Sequence, residues 1–316
     1  MTGPALALAT AVFWAMSSIV MASVARRVGA WRANLLRICL STLALSAIVL
    51  PTYLLGRHFL GHGSPPLPTT AQLVWIVLSG LAGLVLGDIF YYEGLVRLGP
   101  RRAVKFNTLA PVFTLAIAHV WLAEALTPRG IIGAAMILAA VAYAAINKPE
   151  APVAEGEPTT HAAEPAHVTP AAILCGILSG LFIGLGSVLG RLAFQTDRAA
   201  HPLDPIVATV LRVASAGVVL WLVPLVTRSI TRTLGELRDP VVRRRCAAGT
   251  FCGPVAGMLC YVAALNLAPA GVVSTLMSTS TLIVIPLVAL RYKLRISPGV
   301  ILAALVAVVG VGLMTI

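Results

Sequence analysis

The stretch GDIFYYEGLVRLGPRRAVKFNTLAPVF, residues 87–113, places charged side chains between two long apolar runs. Asp88 and Glu93 stand near the end of the first run, a cluster of basic residues follows, and the apolar composition then resumes. Gly99 and Pro100 lie inside the basic cluster, and a Gly-Pro dipeptide is typical of a turn. The stretch therefore predicts two apolar helices joined by a short basic turn.

The composition of the whole chain indicates that such helices cross a membrane. Of its 316 residues 59% are hydrophobic and 11% are charged, with a mean hydropathy of +0.94, whereas soluble domains carry roughly 25% charged residues. Apolar runs of about 20 residues predict transmembrane helices, and the lack of period-two alternation argues against an outer-membrane barrel. We predict an all-α integral membrane protein with ten spans, near residues 4–25, 34–55, 71–96, 102–122, 129–147, 170–194, 205–227, 245–267, 271–290 and 297–315.

The basic residues that give the net charge of +12 indicate how the chain is oriented in the membrane, and they do not indicate a nucleic-acid partner. The basic residues form short clusters between apolar runs and do not collect on one face or in a tail. The loops that follow odd-numbered spans contain 18 Lys and Arg residues, and the loops that follow even-numbered spans contain 5. By the positive-inside rule, the odd-numbered loops are expected to be cytoplasmic and both termini to face outward.

The two halves of the chain, residues 1–147 and 170–316, resemble each other. Residues 148–169 between them are rich in Pro, Ala and Glu and are predicted to form a disordered linker. At a separation of 170 residues the matched pairs are Gly83 with Gly253, Gly87 with Gly257, and Tyr91 with Tyr261. The basic loops of the first half correspond to sparse loops in the second half, and the sparse loops to basic ones. Because a duplicated five-span unit inserts upside down, we predict two five-helix inverted-topology repeats.

Several short motifs carry a resemblance to a known family. They are Gly87-Asp88, Tyr91, Leu95, Leu98-Gly99, Arg102-Ala103, Leu109-x-Pro111-Val112, Ala123-Glu124, Gly133-Ala134, and the arginines Arg37 and Arg212 in spans two and seven. On these residues the chain resembles the drug/metabolite transporter superfamily, in particular its ten-helix EamA-type members. The second half departs from the pattern, with Ser280 or Thr281 near the place of Pro111 and Leu294 at the place of Glu124.

The resemblance implies both a fold and a function. It implies a ten-helix inverted-repeat protein with a substrate cavity between the halves, near the bilayer midplane. It further implies a secondary transporter in the bacterial inner membrane, typically an exporter of amino acids, related metabolites or toxic compounds.

Asp88 admits two interpretations. A carboxylate at the centre of a membrane helix costs ~2.5–3.5 kcal/mol, so we expect it to face the bundle interior and to have a partner. Span two runs outward and span three runs inward, so Arg37 lies near the same membrane face, and one interpretation is a structural Arg37–Asp88 ion pair. In the other, Asp88 binds a substrate amine or carries a coupling proton. Glu93 lies about 140° away around the helix and is assigned to the interface, beside Arg97.

The remaining cavity candidates are polar or aromatic side chains at helical spacing. Tyr91 and Tyr92 share the face of Asp88, and Pro111 frees a backbone carbonyl in span four, close to Asn107 and Thr108. Span nine is the counterpart of span four and is rich in hydroxyl groups. The predicted cavity residues are Asp88, Tyr91, Tyr92, Asn107, Thr108, Tyr261, Ser274, Ser278, Thr281, Trp14 and Ser18.

Alternating-access transport of small metabolites is the leading hypothesis, and two other classes of protein compete with it. A membrane-embedded lipid-modifying enzyme should show His, Asp or Glu clustered at one interface, and the sequence has no such cluster, so we predict no enzyme activity. A passive channel or structural membrane subunit is the other alternative. The five cysteines form no CxxC pair and are interpreted as packing residues, so neither a cofactor nor a metal is expected. Proton coupling and a monomer or homodimer state are left open.

Overall fold

The computed structural model describes residues 2–59, 67–98, 106, 108–146, 169–292 and 296–315. Within these ranges the chain is almost entirely helical and contains no strand. The prediction of an all-α fold is therefore confirmed for the described part of the chain.

The helices follow one another in chain order. They are α1 (Thr2–Val28), α2 (Ala30–Phe59), α3 (Thr70–Gly80, continued by a π-helical segment Leu81–Leu86 and by Gly87–Leu98), α4 (Ala110–Leu122), α5 (Pro128–Ile146), α6 (Pro170–Gln195), α7 (Pro205–Val226), α8 (Pro240–Thr250, continued by a π-helical segment Phe251–Gly257 and by Met258–Leu267), α9 (Ala270–Ser278 and Ser280–Tyr292) and α10 (Pro298–Thr315). A short helix, Ile230–Gly235, and a 3₁₀ turn, Glu236–Arg238, connect α7 to α8.

Eight of the described helices are long and apolar enough to cross a membrane, which makes the chain an integral multi-pass membrane protein. They are α1, α3 and α5 to α10. Helix α4 is apolar but has only 13 residues. The prediction of ten spans thus stays a prediction for α2 and α4.

The helix starts follow from local sequence. Thr69 and Gln72 form a capping box at the start of α3, and Asp204 and Asp239 accept backbone hydrogen bonds at the starts of α7 and α8. Side chains of this kind satisfy the free N–H groups of a first helical turn. The helices α5, α6, α7, α8 and α10 all begin at a proline, which is favourable because the first turn needs no N–H donor there.

Helix boundaries recur along the chain from α3 onward. At a separation of 170 residues, Thr70–Gly80 corresponds to Pro240–Thr250, the π-helical segment at Leu81 to the one at Phe251, Ala110–Leu122 to Ser280–Tyr292, and Pro128 to Pro298. Because π-helical segments are rare, their recurrence at matched positions is a specific structural likeness between the two halves.

The two halves are interleaved rather than side by side. Helix α1 packs against α8 and α9, and α6 packs against α3 and α4. Helix α2 contacts α7, and α5 contacts α10. Gly133 and Gly310 bring α5 and α10 together, since a methyl group on either would lie within 2.7 Å of the other's carbonyl oxygen. One core cluster therefore extends through both halves.

Candidate functional site

Arg37 and Asp88 form an ion pair between α2 and α3. Arg37 Nη2 lies 3.3 Å from Asp88 Oδ2, and the two side chains are 11% and 15% exposed. Asn34 joins both partners, since its Nδ2 donates to Asp88 Oδ2 (3.0 Å) and its Oδ1 accepts from Arg37 Nη2 (2.6 Å). The Arg37 guanidinium also lies 5.4 Å from the centroid of the Trp14 ring. The result is a neutral network in which each charged group has a partner.

An aromatic wall adjoins this ion pair. Tyr91 and Tyr92 lie one helical turn beyond Asp88, and their rings meet edge to face with centroids 5.6 Å apart. Trp31 packs against Tyr92 in the same way at 6.1 Å. Tyr91 and Tyr92 are partly buried. The sequence reasoning had overlooked Asn34 and Trp31, although Asn34 stands three residues before Arg37, a spacing at which helical side chains meet.

Arg212 is the second arginine buried in the bundle. It is 3% exposed and projects from α7 to contact three other helices. Its Nη1 donates to Ser79 Oγ on α3 and to the Gly186 carbonyl on α6 (3.1 Å), and its guanidinium lies 5.4 Å from the Tyr261 ring centroid on α8. Its Nε–H has no acceptor among the described residues. Arg212 thus connects the two halves through neutral groups.

Tyr261 belongs to this second site. Its hydroxyl donates to Ser187 Oγ (2.6 Å), and Ser187 in turn donates to the Ile183 carbonyl within α6 (3.0 Å). The Tyr261 side chain is 5% exposed. The hydrogen bond holds the phenol ring in place beneath the arginine.

The hydroxyl-rich helix α9 is interrupted at Thr279. Ser274, on the first segment, is buried and accepts a hydrogen bond from Thr114 Oγ1 of α4 (3.1 Å). Ser278 donates to the Thr275 carbonyl (2.6 Å). Thr281 is partly buried on the second segment. The expectation that Ser274, Ser278 and Thr281 share one face was derived for a continuous helix, and the turn separates Thr281 from the other two.

The other predicted cavity residues lie in different surroundings. Thr108 is partly buried in the turn before α4, and Asn107 lies outside the described residues. Ser18 is exposed on α1 and donates to the Ala15 carbonyl of its own helix (2.8 Å). Its neighbour Ser17 is the buried serine of this pair, and it donates to the Gly249 carbonyl of α8 (2.7 Å).

A second buried ion pair closes one end of the bundle. Glu124 Oε1 accepts from Arg191 Nε (2.9 Å), and these side chains are 12% and 11% exposed. Arg191 Nη1 also donates to the carbonyls of Leu265 (2.8 Å) and Asn266 (2.9 Å). Glu124 Oε2 accepts from the Ala270 N–H at the start of α9 (2.8 Å), where the helix dipole favours a negative charge. This network joins α6, α8 and α9 to the α4–α5 connection.

Looser ion pairs join the α1–α2 connection to the α7–α8 connection. Arg32 Nη1 lies 2.8 Å from Glu236 Oε1, and Arg27 Nη1 lies 3.4 Å from Asp239 Oδ2. Their side chains are between 28% and 40% exposed. Because solvent screens exposed pairs, these links are weaker than the Glu124 network.

No cluster of three or more His, Cys, Asp or Glu side chains that could hold a metal occurs within the described ranges. The cysteines at positions 39, 175, 246, 252 and 260 are free thiols. The site is accordingly built from arginines, carboxylates, hydroxyl groups and aromatic rings.

A multi-pass helical bundle that buries charged side chains between its helices has the architecture of a membrane transporter. The model of the EamA-like transporter family matches residues 1–146 and 170–316. The chain belongs to this family, and it is therefore a membrane transporter of the drug/metabolite transporter superfamily, as the sequence motifs had predicted.

Comparison with solved structures agrees on the fold. A structure named "Crystal structure of protein" superposes with a TM-score of 0.68 at 15% sequence identity, over 99% of this chain and 96% of that one. At this identity the likeness concerns the fold alone. No curated protein sequence matches the chain.

Proposed function

We propose that the protein is a secondary transporter that exports small metabolites, such as amino acids or related compounds, by alternating access around a central cavity. The observation that carries the proposal is Arg212, a cation that is 3% exposed inside the bundle and that bonds from the second half to Ser79 in the first. An ionisable residue inside a membrane bundle is costly and marks a transport pathway by default.

The ten-helix inverted repeat is part of this proposal. Support comes from the helix boundaries that recur 170 residues apart, from the inverted distribution of basic loops, and from the exchanged packing. Helix α1 meets α8 and α9 as α6 meets α3 and α4. Two interleaved copies of opposite orientation supply two related conformations, one open to each side of the membrane.

Irregular backbone lies where such a transporter has to bend. The π-helical segments Leu81–Leu86 and Phe251–Gly257 interrupt α3 and α8 near the middle of each helix, and a turn interrupts α9 at Thr279. Interrupted helices of this kind commonly form substrate sites, and π-helical segments occur frequently at functional sites. We assign the polar groups beside these interruptions, Tyr261 and Ser274 among them, to the cavity.

Asp88 takes a structural role in this proposal. Its carboxylate is bonded to both Arg37 and Asn34, so the network links α2 to α3 and lets the two helices move together. Substrate contacts on this side then come from Tyr91 and Tyr92. Proton coupling is tested separately, by measuring flux with and without a pH gradient.

The bundle end that carries Arg27 and Arg32 is assigned to the cytoplasm. The α1–α2 and α7–α8 connections lie at that end, because their side chains pair with each other, and both connections are rich in arginine. By the positive-inside rule this end faces the cytoplasm. The Glu124 network then closes the outer end, in a membrane that we take to be a bacterial inner membrane.

The test is flux in proteoliposomes of the purified protein, using a panel of amino acids, small organic acids, amines and neutral metabolites. We expect saturable flux of some members and its loss in Tyr92→Ala, with Trp121→Ala as the control because Trp121 is 59% exposed at the end of α4. Absence of flux for the whole panel, in protein that is folded, would contradict the proposal.

A further inference from the structure

Arg37 and Arg212 occupy matching places in the two halves. Each ends a short motif in the second helix of its half, Asn34 to Arg37 in α2 and Thr209 to Arg212 in α7. The residue that corresponds to Asp88 at a separation of 170 is Met258, which is buried at 3% exposure. The second half therefore keeps the arginine and lacks the acid that neutralises it in the first.

The second partner of Arg37 is also missing at Arg212. Thr209 stands where Asn34 stands in the first half, and its hydroxyl donates to the Pro205 carbonyl of its own helix (2.7 Å). Arg212 is left with a serine hydroxyl, a backbone carbonyl and an aromatic face. It forms no ion pair with any described residue. Since an arginine stays protonated in proteins, the site contains an uncompensated buried positive charge.

The hydrogen bonds leave one edge of the guanidinium available. Ser79 Oγ and the Gly186 carbonyl both take their hydrogen bonds from Nη1, and Nε is buried without an acceptor among the described residues. The Nε–Nη2 edge is one that meets the two oxygens of a carboxylate in a bidentate pair. Gly83 lies beside Nη2, because a Cβ at this position would stand only 3.0 Å from that atom. As a glycine it places no side chain against this edge.

A second buried donor without an acceptor in the described part of the chain is the Trp14 indole of α1, which contacts α8 at Gly257. The Trp14 indole Nε1 is buried without a partner among the described residues, and a Cβ on Gly257 would lie 3.3 Å from it. Gly257 and Tyr261 are four residues apart, so they share a face of the helix, and Tyr261 lies under Arg212. Indole and guanidinium N–H groups donate and never accept. Trp14 itself lies against Arg37, which already has its acid, so it is Arg212 that calls for an acceptor-rich, negatively charged group.

We propose that Arg212 binds the carboxylate of the transported solute. The inference rests on the proposed transport function and names its substrate class, small organic solutes that bear a carboxylate. Arg212 is 3% exposed, so the solute reaches it in a state in which α3 and α6 have separated. The contact that opens is the one between Gly83 and Gly186, where two glycines face each other, and the hydrogen bond from Ser79 to the Gly186 carbonyl has to break with it.

The test compares an acid with its own amide. The full-length protein is purified, and binding of L-amino acids and small monocarboxylates is measured beside their primary amides and beside inorganic phosphate. We expect the acids to bind about tenfold or more tightly than the amides, because a charged hydrogen-bonded pair is lost in the amide. Equal affinity for acid and amide overturns the inference, and so does binding of phosphate alone.

Variants then assign the preference to one residue. Arg212→Gln is expected to lose the preference for acids, whereas Arg198→Gln, which removes an exposed arginine of the same half, should keep it. Met258→Asp restores the acid that the first half has at Asp88, so it is expected to neutralise Arg212 and to remove the preference, which keeps the test decisive if Arg212→Gln does not fold. A folded Arg212→Gln or Met258→Asp protein with an unchanged preference overturns the inference.

Flux separates this inference from the proposed function. Flux of amines or neutral solutes without any preference for acids would leave transport intact and overturn the assignment of Arg212. Absence of flux for every solute would instead overturn the proposed function itself.

Discussion

The two buried arginines differ in their partners far more than in their positions. Arg37 has a carboxylate and an amide within hydrogen-bond reach, and Arg212 has only a hydroxyl, a carbonyl and a ring. A charge that the protein neutralises itself serves to join helices. A charge that the protein leaves uncompensated, beside helices that are interrupted by π-helical segments, is available to a ligand. The likeness of the halves thus locates the site, and their difference indicates its chemistry.

The largest effect is expected from Arg37→Met. The change strands the Asp88 carboxylate in the bundle, and breaking a buried pair in this way costs about 3–5 kcal/mol. The free energy of unfolding, measured by titration in mixed micelles, should fall by this amount. The double variant Arg37→Met with Asp88→Leu should recover much of the loss, because no unpaired charge remains. A loss as small as that of Arg212→Met would abolish the contrast between the two sites.

Glu124→Gln comes next. The amide keeps an acceptor for the Ala270 N–H but removes the charge opposite Arg191, so we expect a loss of about 2–3 kcal/mol in the free energy of unfolding. Thiol labelling from the outer side should also become faster at a cysteine introduced at Asn266. Unchanged stability and labelling would show that this network does not close the outer end.

Arg212→Met should have a smaller effect on stability and a larger one on binding. Only neutral acceptors lose a partner, so the free energy of unfolding should fall by about 1–2 kcal/mol, while the preference for carboxylates disappears. The same unfolding titration, run beside Arg37→Met, measures the difference. A loss equal to that of Arg37→Met would mean that Arg212 is chiefly structural.

Glu93→Gln is expected to have the smallest effect on the free energy of unfolding. Arg97 Nε donates to Glu93 Oε1 over four residues of one helix (2.6 Å), and both side chains are nearly half exposed. Exposed pairs at this spacing contribute little to stability because solvent screens them. The unfolding titration should therefore hardly change, and a loss above that of Arg212→Met would show that the pair lies inside the bundle.

The sequence was informative wherever a local pattern sufficed. Apolar runs predicted the helices, and the opposite directions of spans two and three brought Arg37 near Asp88. The turn at Thr279 has no Gly or Pro beside it, so the sequence contains no signal that would interrupt the predicted continuous helix. The choice between Ser17 and Ser18 depended on the exact face of α1. The Glu124–Arg191 network joins residues 67 positions apart, and no spacing within a helix could reveal it.

The most direct test of an uncompensated Arg212 is the acid-over-amide preference of Met258→Asp, measured beside Met258→Leu. The leucine variant conserves volume and should keep the preference of the parent protein. The aspartate variant is predicted to bind acid and amide equally, since its own carboxylate takes the place of the ligand. A folded Met258→Asp protein that still prefers the acid by the same factor would contradict the account.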